Sequence, residues 1–332
     1  MSGFRYVFGP VPSRRLGLSL GLDLNPVKVC SEDCVFCQVG RTTEKTLERR
    51  EWVPTEEVLE EFARWRAEGG KADFATLSGS GEPTLHSRFG EVLEAAKAAG
   101  YRTAVLSNGT MLWDAEVRRE AAKADVVKVT VSSWDEESFR RMHRPAERLS
   151  FGRVVEGIRA FRAEFRGKLW VETMLVRGVN DGADAVRAIA AVVNGLGADA
   201  VHLNTVTRPS LTDGGEGVHG VARAWLHQVS GWFTPKAEVP GFHGRMTPVS
   251  AMDDETLCGL IARHPLDVAS LAAAGGEDEA AVLARVRPLV AAERLRLAEV
   301  EGRLTVEPGA EGDAMARKPH AKGEGGGNWK LD

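Results

Sequence analysis

Hydrophobic residues recur along the first two thirds of the chain in two patterns that alternate. Short, nearly continuous apolar runs predict buried strands, and segments with apolar residues three or four positions apart predict amphipathic helices. The predicted strands cover residues 16–25, 74–78, 103–107, 126–132, 169–175 and 198–204, and the predicted helices cover residues 54–68, 91–99, 116–123, 151–165 and 183–194. Apolar strands separated by helices indicate an α/β protein with a parallel sheet covered by helices.

Six strand and helix units of this length predict a partial (β/α)6 barrel of the TIM type over residues 1–210. The segment 9–15 before the first strand contains two prolines and is expected to be irregular. Within it, Arg14 and Arg15 either meet a carboxylate or phosphate or belong to a solvated or salt-bridged entry segment. Residues 211–250, rich in glycine, histidine and tryptophan, are expected to link onward or to close the barrel's open side.

A different pattern begins after residue 250. Helices at 255–263, 267–274 and 277–293, followed by a hairpin at 295–300 and 303–306, predict a small winged-helix-like module over residues 251–307. Pro288 is expected to kink or end the third helix early. Residues 252–307 hold eleven acidic residues and six arginines, so DNA binding is unfavourable and a docking module for a protein or peptide is preferred. Residues 308–332 are expected to form a disordered tail.

The composition describes an ordinary globular protein of about two domains. Of its 332 residues, 43% are hydrophobic and 27% are charged, and the net charge of −4 disfavours a generally basic nucleic-acid binder. No apolar run approaches the length of a membrane span, and the first residues lack the apolar core of a signal peptide. We therefore expect a cytoplasmic protein without a membrane span. Residues 139–168 carry nine basic and three acidic residues, which predicts either a solvated helix face or a contact with an RNA backbone.

Three of the four cysteines lie within eight positions, at a C-x3-C-x2-C spacing. Cys30, Cys34 and Cys37 can therefore be brought around a single metal site by one loop. Soft thiolates select zinc, copper(I) or iron-sulfur centres, and structural zinc normally takes four protein ligands. The alternatives are a zinc ion completed by Cys258 or a distant histidine, a structural or redox cysteine cluster, and a [4Fe-4S] cluster with one iron that lacks a protein ligand.

Glycines and polar residues follow the predicted strands. Residues 78–85 read Ser-Gly-Ser-Gly-Glu-Pro-Thr-Leu at the end of the second strand, where glycines let a ligand approach the backbone and its carbonyls accept hydrogen bonds from an ammonium group. Ser107, Asn108, Ser132 and Asn204 end or follow later strands. Because ligands of such barrels bind at the carboxyl ends of the strands, these residues are candidates for contacts to a polar cofactor.

The cysteine loop, with Phe36 just before the third cysteine, resembles the signature of the radical S-adenosylmethionine (SAM) superfamily. The resemblance implies that Cys30, Cys34 and Cys37 bind a [4Fe-4S] cluster whose open iron chelates the amine and carboxylate of SAM. It also implies that an electron from a low-potential donor of the flavodoxin or ferredoxin type breaks the sulfonium and gives a 5′-deoxyadenosyl radical. The protein binds and orients the cofactor and excludes other reactions.

Further motifs, taken in order, resemble the wyosine-synthase-like branch of radical SAM proteins. They lie at residues 8–17, 78–85, 107–109, 177–181 and 203–209. The cofactor contacts implied by the resemblance are Phe36 beside the cluster, Gly79, Ser80, Gly81 and Glu82 for the amine, Ser107, Asn108 and Ser132 for the carboxylate or ribose, and Val206 to Arg208 near the adenine. The tRNA wyosine synthases carry cysteines for a second cluster, and the eukaryotic ones add a flavin domain; this sequence has neither.

These features together predict an enzyme that abstracts hydrogen from a substrate by radical SAM chemistry. The leading substrate class is RNA or another macromolecule, and the alternative is a peptide or a small molecule. A non-catalytic iron-sulfur electron carrier is a more distant alternative. An electron carrier would not need the cofactor-binding segment at residues 78–82.

Overall fold

The computed structural model describes residues 4–13, 15–206, 218–239, 248–263, 265–300 and 303–309. The larger part is built on a seven-stranded sheet. Its strands are β1 (Val7–Ser13), β2 (Gly17–Leu22), β5 (Phe74–Leu77), β6 (Arg102–Leu106), β7 (Val126–Thr130), β8 (Lys168–Leu175) and β9 (Ala200–Thr205), and they lie in the order β1-β2-β5-β6-β7-β8-β9. The short β3 (Val29–Cys30) and β4 (Glu44–Lys45) pair separately. The strands from β2 to β9 in this sheet are parallel, which confirms the predicted α/β class with a mostly parallel sheet.

The segment expected to be irregular before the first predicted strand is mostly β1. This strand pairs antiparallel with β2, and its register shifts between Phe8 and Val11. Pro10 lies between these two residues and is not among the residues paired with β2, so its lack of an N–H group does not interrupt the pairing. A proline is tolerated in this way at a sheet edge or a bulge, and β1 occupies the edge of the sheet. The prediction of an irregular segment was wrong because it gave the two prolines more weight than the apolar residues around them.

Helices follow the strands as the alternation predicted. The helices of this part are α1 (Thr55–Ala67), α2 (Phe89–Ala98), α3 (Ala115–Ala121), α4 (Glu136–His143), α5 (Phe151–Glu164), α6 (Ala183–Asn194) and α7 (Arg223–Val229). The helix α4 was not predicted, since its region was noticed only for its positive charge. It begins with a capping box between Asp135 and Ser138 and buries Phe139 and Met142.

The two faces of the sheet differ in polarity because side chains alternate along a strand. Val127, Val129, Val171 and Leu203 are fully buried, and they join the large hydrophobic cluster beneath the helices. The residues between them are more polar, and several of them are only partly buried. One face therefore forms the main core, and the other carries the partly buried polar residues.

The sheet is curved toward its polar face. Three strands separate β2 from β8. Neighbouring strands lie about 4.8 Å apart, so a flat sheet would hold β2 and β8 roughly 19 Å from each other, beyond the reach of one side chain. However, Arg15, in the turn before β2, places its Nη1 atom 2.9 Å from Oε1 of Glu172 in β8. We call the polar side of the sheet its concave face.

A C-terminal module has its own hydrophobic core. Its elements follow in the order α8 (Asp254–Arg263), β10 (Leu266–Asp267), α9 (Val268–Gly275), α10 (Glu279–Ala291), β11 (Leu295–Val300) and β12 (Arg303–Pro308), and its sheet has the order β10-β12-β11. The helix α10 continues past Pro288 to Ala291, so this proline does not end it, and the expected kink stays a prediction. Val11 of β1 belongs to the core of the module.

Some predictions fall outside the described residues. The expected tail begins at residue 308, and residues 310–332 are not described. The expected linker at 211–250 is described at 218–239 and 248–250, where it contains α7 and two short 3-10 turns. Among the described residues, no helix combines the length and the apolar character that crossing a membrane requires.

Candidate functional site

The cysteine loop is supported by the C-terminal end of α4. The amide of Asp33 donates to the carbonyl of His143, and the amide of Val35 donates to the carbonyl of Met142, both over 2.9 Å. The last carbonyls of a helix have no partner within the helix, so the loop satisfies groups that α4 leaves open. Arg144 ends the helix in the left-handed conformation with φ of 44°. The loop is thus attached to a rigid element far from it in sequence.

Cys30, Cys34 and Cys37 are free thiols that share one environment. Burial raises the pKa of the Cys34 thiol well above its usual value, and the charges of Glu32, Cys30 and Cys37 raise it further. Burial and the nearby carboxylates also raise the pKa of Cys30. Thiols that repel one another's charge are stabilised as thiolates when a cation binds among them.

A buried lysine provides positive charge beside the thiols. Lys28 is only 7% exposed, and its ammonium group donates to the carbonyl of Gly40. Burial lowers the pKa of Lys28, but the charges of Cys37 and Cys30 and a hydrogen bond to Cys37 outweigh burial and raise it overall. Asp33 lies 3.9 Å from the same ammonium group. Lys28 therefore stays charged and offsets negative charge on the loop.

Glu32 and His143 lie against the second cysteine. Sγ of Cys34 is 3.3 Å from Oε2 of Glu32 and 3.4 Å from Nδ1 of His143, and the latter two atoms are 3.2 Å apart. These three ligand atoms lie within 4.8 Å of one another. A histidine distant in sequence is thus available to a metal at Cys34. Cys258, in contrast, packs in the core of the C-terminal module, where Arg294 and Glu255 are its charged neighbours.

The glycine segment after β5 packs closely against the entry to the cysteine loop. A Cβ atom on Gly81 would overlap the carbonyl oxygen of Val29, and one on Gly79 would overlap the carboxylate of Asp23. Ser80 donates from both its amide and its hydroxyl group to Oδ2 of Asp23, at 3.0 and 2.6 Å. Within the described chain, no hydrogen bond ends on the carbonyl oxygens of residues 79–81. These acceptors fit the amine contact that the resemblance implies.

Glu82 connects the ends of two strands. It is 2% exposed, and its carboxylate accepts hydrogen bonds from Thr84, from the hydroxyl of Ser107 at 2.8 Å and from the amide of Asn108 at 2.8 Å. Burial raises the pKa of Glu82 above its usual value, and these hydrogen bonds offset only part of that rise. The side chain of Asn108 in turn donates to Ser31 at 2.8 Å and lies 3.6 Å from Sγ of Cys30. The structure thus brings Glu82, Ser107 and Asn108 to the cysteine loop.

The remaining predicted contacts lie in three different settings. Ser132 is fully buried, and its hydroxyl oxygen accepts the amide of Met174 at 2.9 Å. Phe36 packs with Val206 in a small hydrophobic cluster, and its ring meets that of His143 edge-on at 5.5 Å. Arg208 lies outside the described residues. The structure therefore brings Val206 to the cysteine loop, whereas the contacts of Ser132 are internal.

The donor set fits an iron-sulfur cluster with one open iron. Three thiols interact electrostatically, a buried ammonium group offsets their charge, and the described part of the chain offers no fourth cysteine beside them. The carbonyls of residues 79–81 lie next to them and accept no hydrogen bond from any residue that the structure describes. Cys258 is not available to a zinc ion here, because it packs in the core of the C-terminal module. The zinc alternative would therefore need His143, beside Cys34, as its fourth ligand.

The residues from 24 to 191 match the family model described as the Radical SAM superfamily. That match covers 168 of the 332 residues, just over half of the chain. The chain therefore belongs to the radical SAM superfamily, as the cysteine spacing predicted. Membership of the superfamily supports reductive cleavage of SAM in general.

Two curated relatives and one solved structure illustrate the similarity. The chain is 36% identical to a UPF0026 protein of Methanocaldococcus jannaschii over 204 residues, which are 61% of this chain and 64% of that protein. It is 27% identical to a protein of Brachyspira hyodysenteriae named GTPase Obg over 305 residues, 90% of this chain and 44% of that protein. The chain thus spans less than two thirds of either relative. Neither bears a wyosine-synthase name, so that branch stays a prediction.

The solved structure is that of SuiB from Streptococcus suis bound to the precursor peptide SuiA. The similarity has a TM-score of 0.50 at 14% identity, and it covers 68% of this chain and 49% of that one. At this identity the likeness concerns the fold alone.

Sequence reasoning missed several residues of the site. Asp23 directly follows β2, but the first strand was predicted to run to residue 25, so the rule of polar strand ends would have pointed to Asn25 instead. His143 could have been found from the helical spacing of Phe139 and Met142 with Asp135 as the cap. Lys28 carries no such signal, because its burial depends on how the loop folds back over it.

Proposed function

We propose that this protein is a radical SAM enzyme that uses one [4Fe-4S] cluster to cleave SAM and abstract hydrogen from a substrate. When bound, the cluster would supply the electron for reductive cleavage of SAM to a 5′-deoxyadenosyl radical. The observation that carries the proposal is the cysteine loop, where three interacting thiols lie beside a glycine segment whose carbonyls accept no hydrogen bond from the described residues. An electron donor of the flavodoxin or ferredoxin type would reduce the protein.

The residues of the chain divide the work of binding. Cys30, Cys34 and Cys37 would hold the cluster, and Lys28 would offset its negative charge. The carbonyls of residues 79–81 would accept the ammonium group of SAM. Glu82 has its acceptors occupied by Thr84, Ser107 and Asn108, so we assign it the task of fixing this segment rather than of touching the cofactor.

The curved parallel sheet supports a partial (β/α)6 barrel of the radical SAM type. Elements of the C-terminal module follow in the order helix, strand, helix, helix, strand, strand, which supports the winged-helix assignment. We propose that this module docks a protein or peptide partner. Its acidic balance is unfavourable for DNA.

RNA or another macromolecule is the leading substrate class, and it is supported by the basic stretch at residues 139–168. Two arginines of this stretch already form ion pairs within the protein, which reduces the positive charge left for RNA. Arg140 lies 2.7 Å from Glu136, and Arg162 lies 2.9 Å from Asp199. Arg153 lies over the ring of Trp113 at 3.6 Å. Retention of RNA that weakens steeply with salt would separate this class from a peptide or small molecule.

Anaerobic reconstitution tests the proposed function. We expect about four irons per chain, in line with one [4Fe-4S] cluster, and release of 5′-deoxyadenosine from SAM after reduction with dithionite. Replacement of Cys30, Cys34 or Cys37 with Ala should abolish both. The matched control is Cys258→Ala, which should leave both unchanged because this thiol packs in the C-terminal core. Stoichiometric zinc in freshly purified anaerobic protein, without iron-sulfur absorption after reconstitution, would contradict the proposal.

A further inference from the structure

The concave face of the sheet carries a compact group of charged and polar side chains outside the cysteine loop. We call Arg15, Lys128, Glu172 and Asn204 the concave-face group. Glu172 accepts hydrogen bonds from Arg15 at 2.9 Å, from Lys128 at 2.5 Å and from Asn204 at 2.6 Å. Its side chain is 11% exposed, and those of Arg15 and Lys128 are 15% and 14% exposed. The group is therefore largely removed from water.

The sheet register places this group just below the strand ends. Lys128 is paired with Leu106, after which come Ser107 and Asn108, the residues that reach Glu82 and the cysteine loop. Asn108 is two residues beyond Leu106, so a rise of about 3.3 Å per residue puts the group roughly 7 Å below the strand ends. Beneath it, Leu16 and Phe74 belong to a small apolar cluster that forms a floor. A molecule on the concave face would thus lie between this floor and the candidate cofactor site.

The charges of the group do not balance. Glu172 contributes one negative charge, and Arg15 and Lys128 contribute two positive charges. Although burial raises the pKa of Glu172, Lys128 and Arg15 hold it far below its usual range, so the carboxylate is ionised. Burial, aided by the charge of Arg15, lowers the pKa of nearby His202 to about 3, so this imidazole is neutral. One positive charge therefore remains for a ligand.

Arg15 also has hydrogen-bond donors without acceptors. Its Nη1 atom binds Glu172, but its Nε and Nη2 atoms are buried and have no hydrogen-bond partner among the described residues. Buried charged donors are rarely left unsatisfied, because their desolvation is then uncompensated. The Nε and Nη2 hydrogens of an arginine point in parallel, in the geometry that two oxygens of a carboxylate accept.

The concave face is partly exposed around this group. Lys128 and Thr130 of β7, Trp170 and Met174 of β8 and Asn204 of β9 are partly exposed, whereas the residues between them are buried. A ligand that enters within the curve of the sheet would meet these side chains first. It would have to displace those that cover Nε and Nη2 of Arg15, because each of these two atoms exposes less than 1 Å².

We propose that the concave-face group binds a carboxylate of the substrate, which accepts two hydrogen bonds from the Nε and Nη2 edge of Arg15. This inference rests on the proposed radical SAM chemistry, since the carboxylate would belong to the molecule presented to SAM. It favours the alternative of a peptide or small-molecule substrate over RNA, whose backbone carries no carboxylate. A single residual positive charge matches a monoanion better than a phosphate dianion. A phosphodiester is also a monoanion, but its two ester groups would need room beside the floor formed by Leu16 and Phe74.

Equilibrium dialysis of the reconstituted protein tests the inference. The probes are radiolabelled acetate, dimethyl phosphate and neutral acetamide, at ionic strength held constant with chloride. SAM is included so that the cluster offers no open iron to the probe. We expect saturable binding of one acetate per chain, weaker binding of dimethyl phosphate and no binding of acetamide.

Replacement of the arginine should weaken this binding selectively. Arg15→Gln removes the charge and the parallel donors, and we expect the dissociation constant of acetate to rise about tenfold or more. The matched control is Arg118→Gln, since Arg118 is likewise 15% exposed and paired with a glutamate, Glu164, at 3.0 Å. This control should bind acetate like the wild type.

Several outcomes would overturn the inference. These are the absence of saturable acetate binding, equal affinity in Arg15→Gln, or tighter binding of dimethyl phosphate than of acetate. If Arg15→Gln loses iron or unfolds, Arg15→Lys replaces it, because lysine keeps the charge opposite Glu172 but lacks the parallel donors; unchanged acetate affinity in that variant would also overturn it. Failure of the proposed function would be seen separately, as wild-type protein that releases no 5′-deoxyadenosine.

Discussion

Gly81 is fixed by contacts rather than by backbone conformation. A methyl group at this position would overlap the carbonyl oxygen of Val29 and approach Asn25. The same carbonyl accepts the amide of Glu82 at 2.9 Å, so it cannot move away without breaking that bond. One glycine thus holds the cofactor segment against the residue that precedes Cys30. The two parts of the candidate site depend on each other at this contact.

We expect Gly81→Ala to lower the free energy of unfolding by roughly 1–3 kcal/mol, a typical cost of overpacking. The variant should also retain less iron after reconstitution, because displacement of Val29 disturbs the first cysteine. Urea unfolding and iron analysis check both effects. Gly152→Ala is the matched control: no atom lies within 4 Å of a Cβ there, and alanine favours the helix α5. Equal stability of Gly81→Ala and the wild type would contradict the close contact.

At the scale of elements, α4 and the cysteine loop form one unit. The loop donates two amide hydrogen bonds to the last carbonyls of α4, and the amide of Ala146, just beyond the helix, donates to the carbonyl of Ser31 at 2.9 Å. Phe36 and Met142 then pack in the same hydrophobic cluster. The position of the thiols therefore depends on whether α4 is formed.

We expect Asp135→Ala to weaken iron retention although this residue is far from the thiols along the chain. Asp135 accepts the amide of Ser138 at 2.8 Å and caps α4, so its loss favours fraying of the helix. The measurement is the rate of iron loss to a chelator in the reconstituted protein. Asp135→Asn keeps a good cap and should behave like the wild type. If Asp135→Ala and the wild type lost iron at the same rate, the cysteine loop would keep its conformation without support from α4.

At the scale of the whole molecule, the N-terminal strand joins the two parts of the chain. Val11 of β1 is buried in the core of the C-terminal module, and Phe8 packs against that core. β1 is also hydrogen-bonded to β2 in the large sheet. The module is therefore built onto the edge of the sheet through an apolar contact.

We expect a chain that stops at residue 250 to aggregate or to unfold at a lower temperature than the full chain. Loss of the C-terminal module would expose Val11 and Phe8 on an edge strand, and exposed apolar edges promote association. Size-exclusion chromatography and thermal unfolding provide the test. A chain that stops at residue 309 keeps every described element of the module and is the control. If the chain of 250 residues were monomeric and as stable as the full chain, the contact with β1 would not matter for stability.

Much of this fold was predictable from local sequence. The six parallel strands were found because each is short and apolar, and α6 was predicted with its observed bounds because apolar residues recur at helical spacing over residues 183–194. The C-x3-C-x2-C spacing likewise indicated the superfamily, since one short loop carries all three thiols. In each case the signal and the structure lie within the same few residues.

The tertiary structure decided the features that join distant segments. Arg15 and Glu172 are separated by 157 positions, and they meet only because the sheet curves. His143 reaches Cys34 only because α4 ends beneath the cysteine loop. Such pairs leave no periodic pattern along the chain, because the sequence around one residue does not indicate which distant residue it will contact. Their position is fixed by the packing of whole elements, and this is why the charge of the concave face appears only in the folded chain.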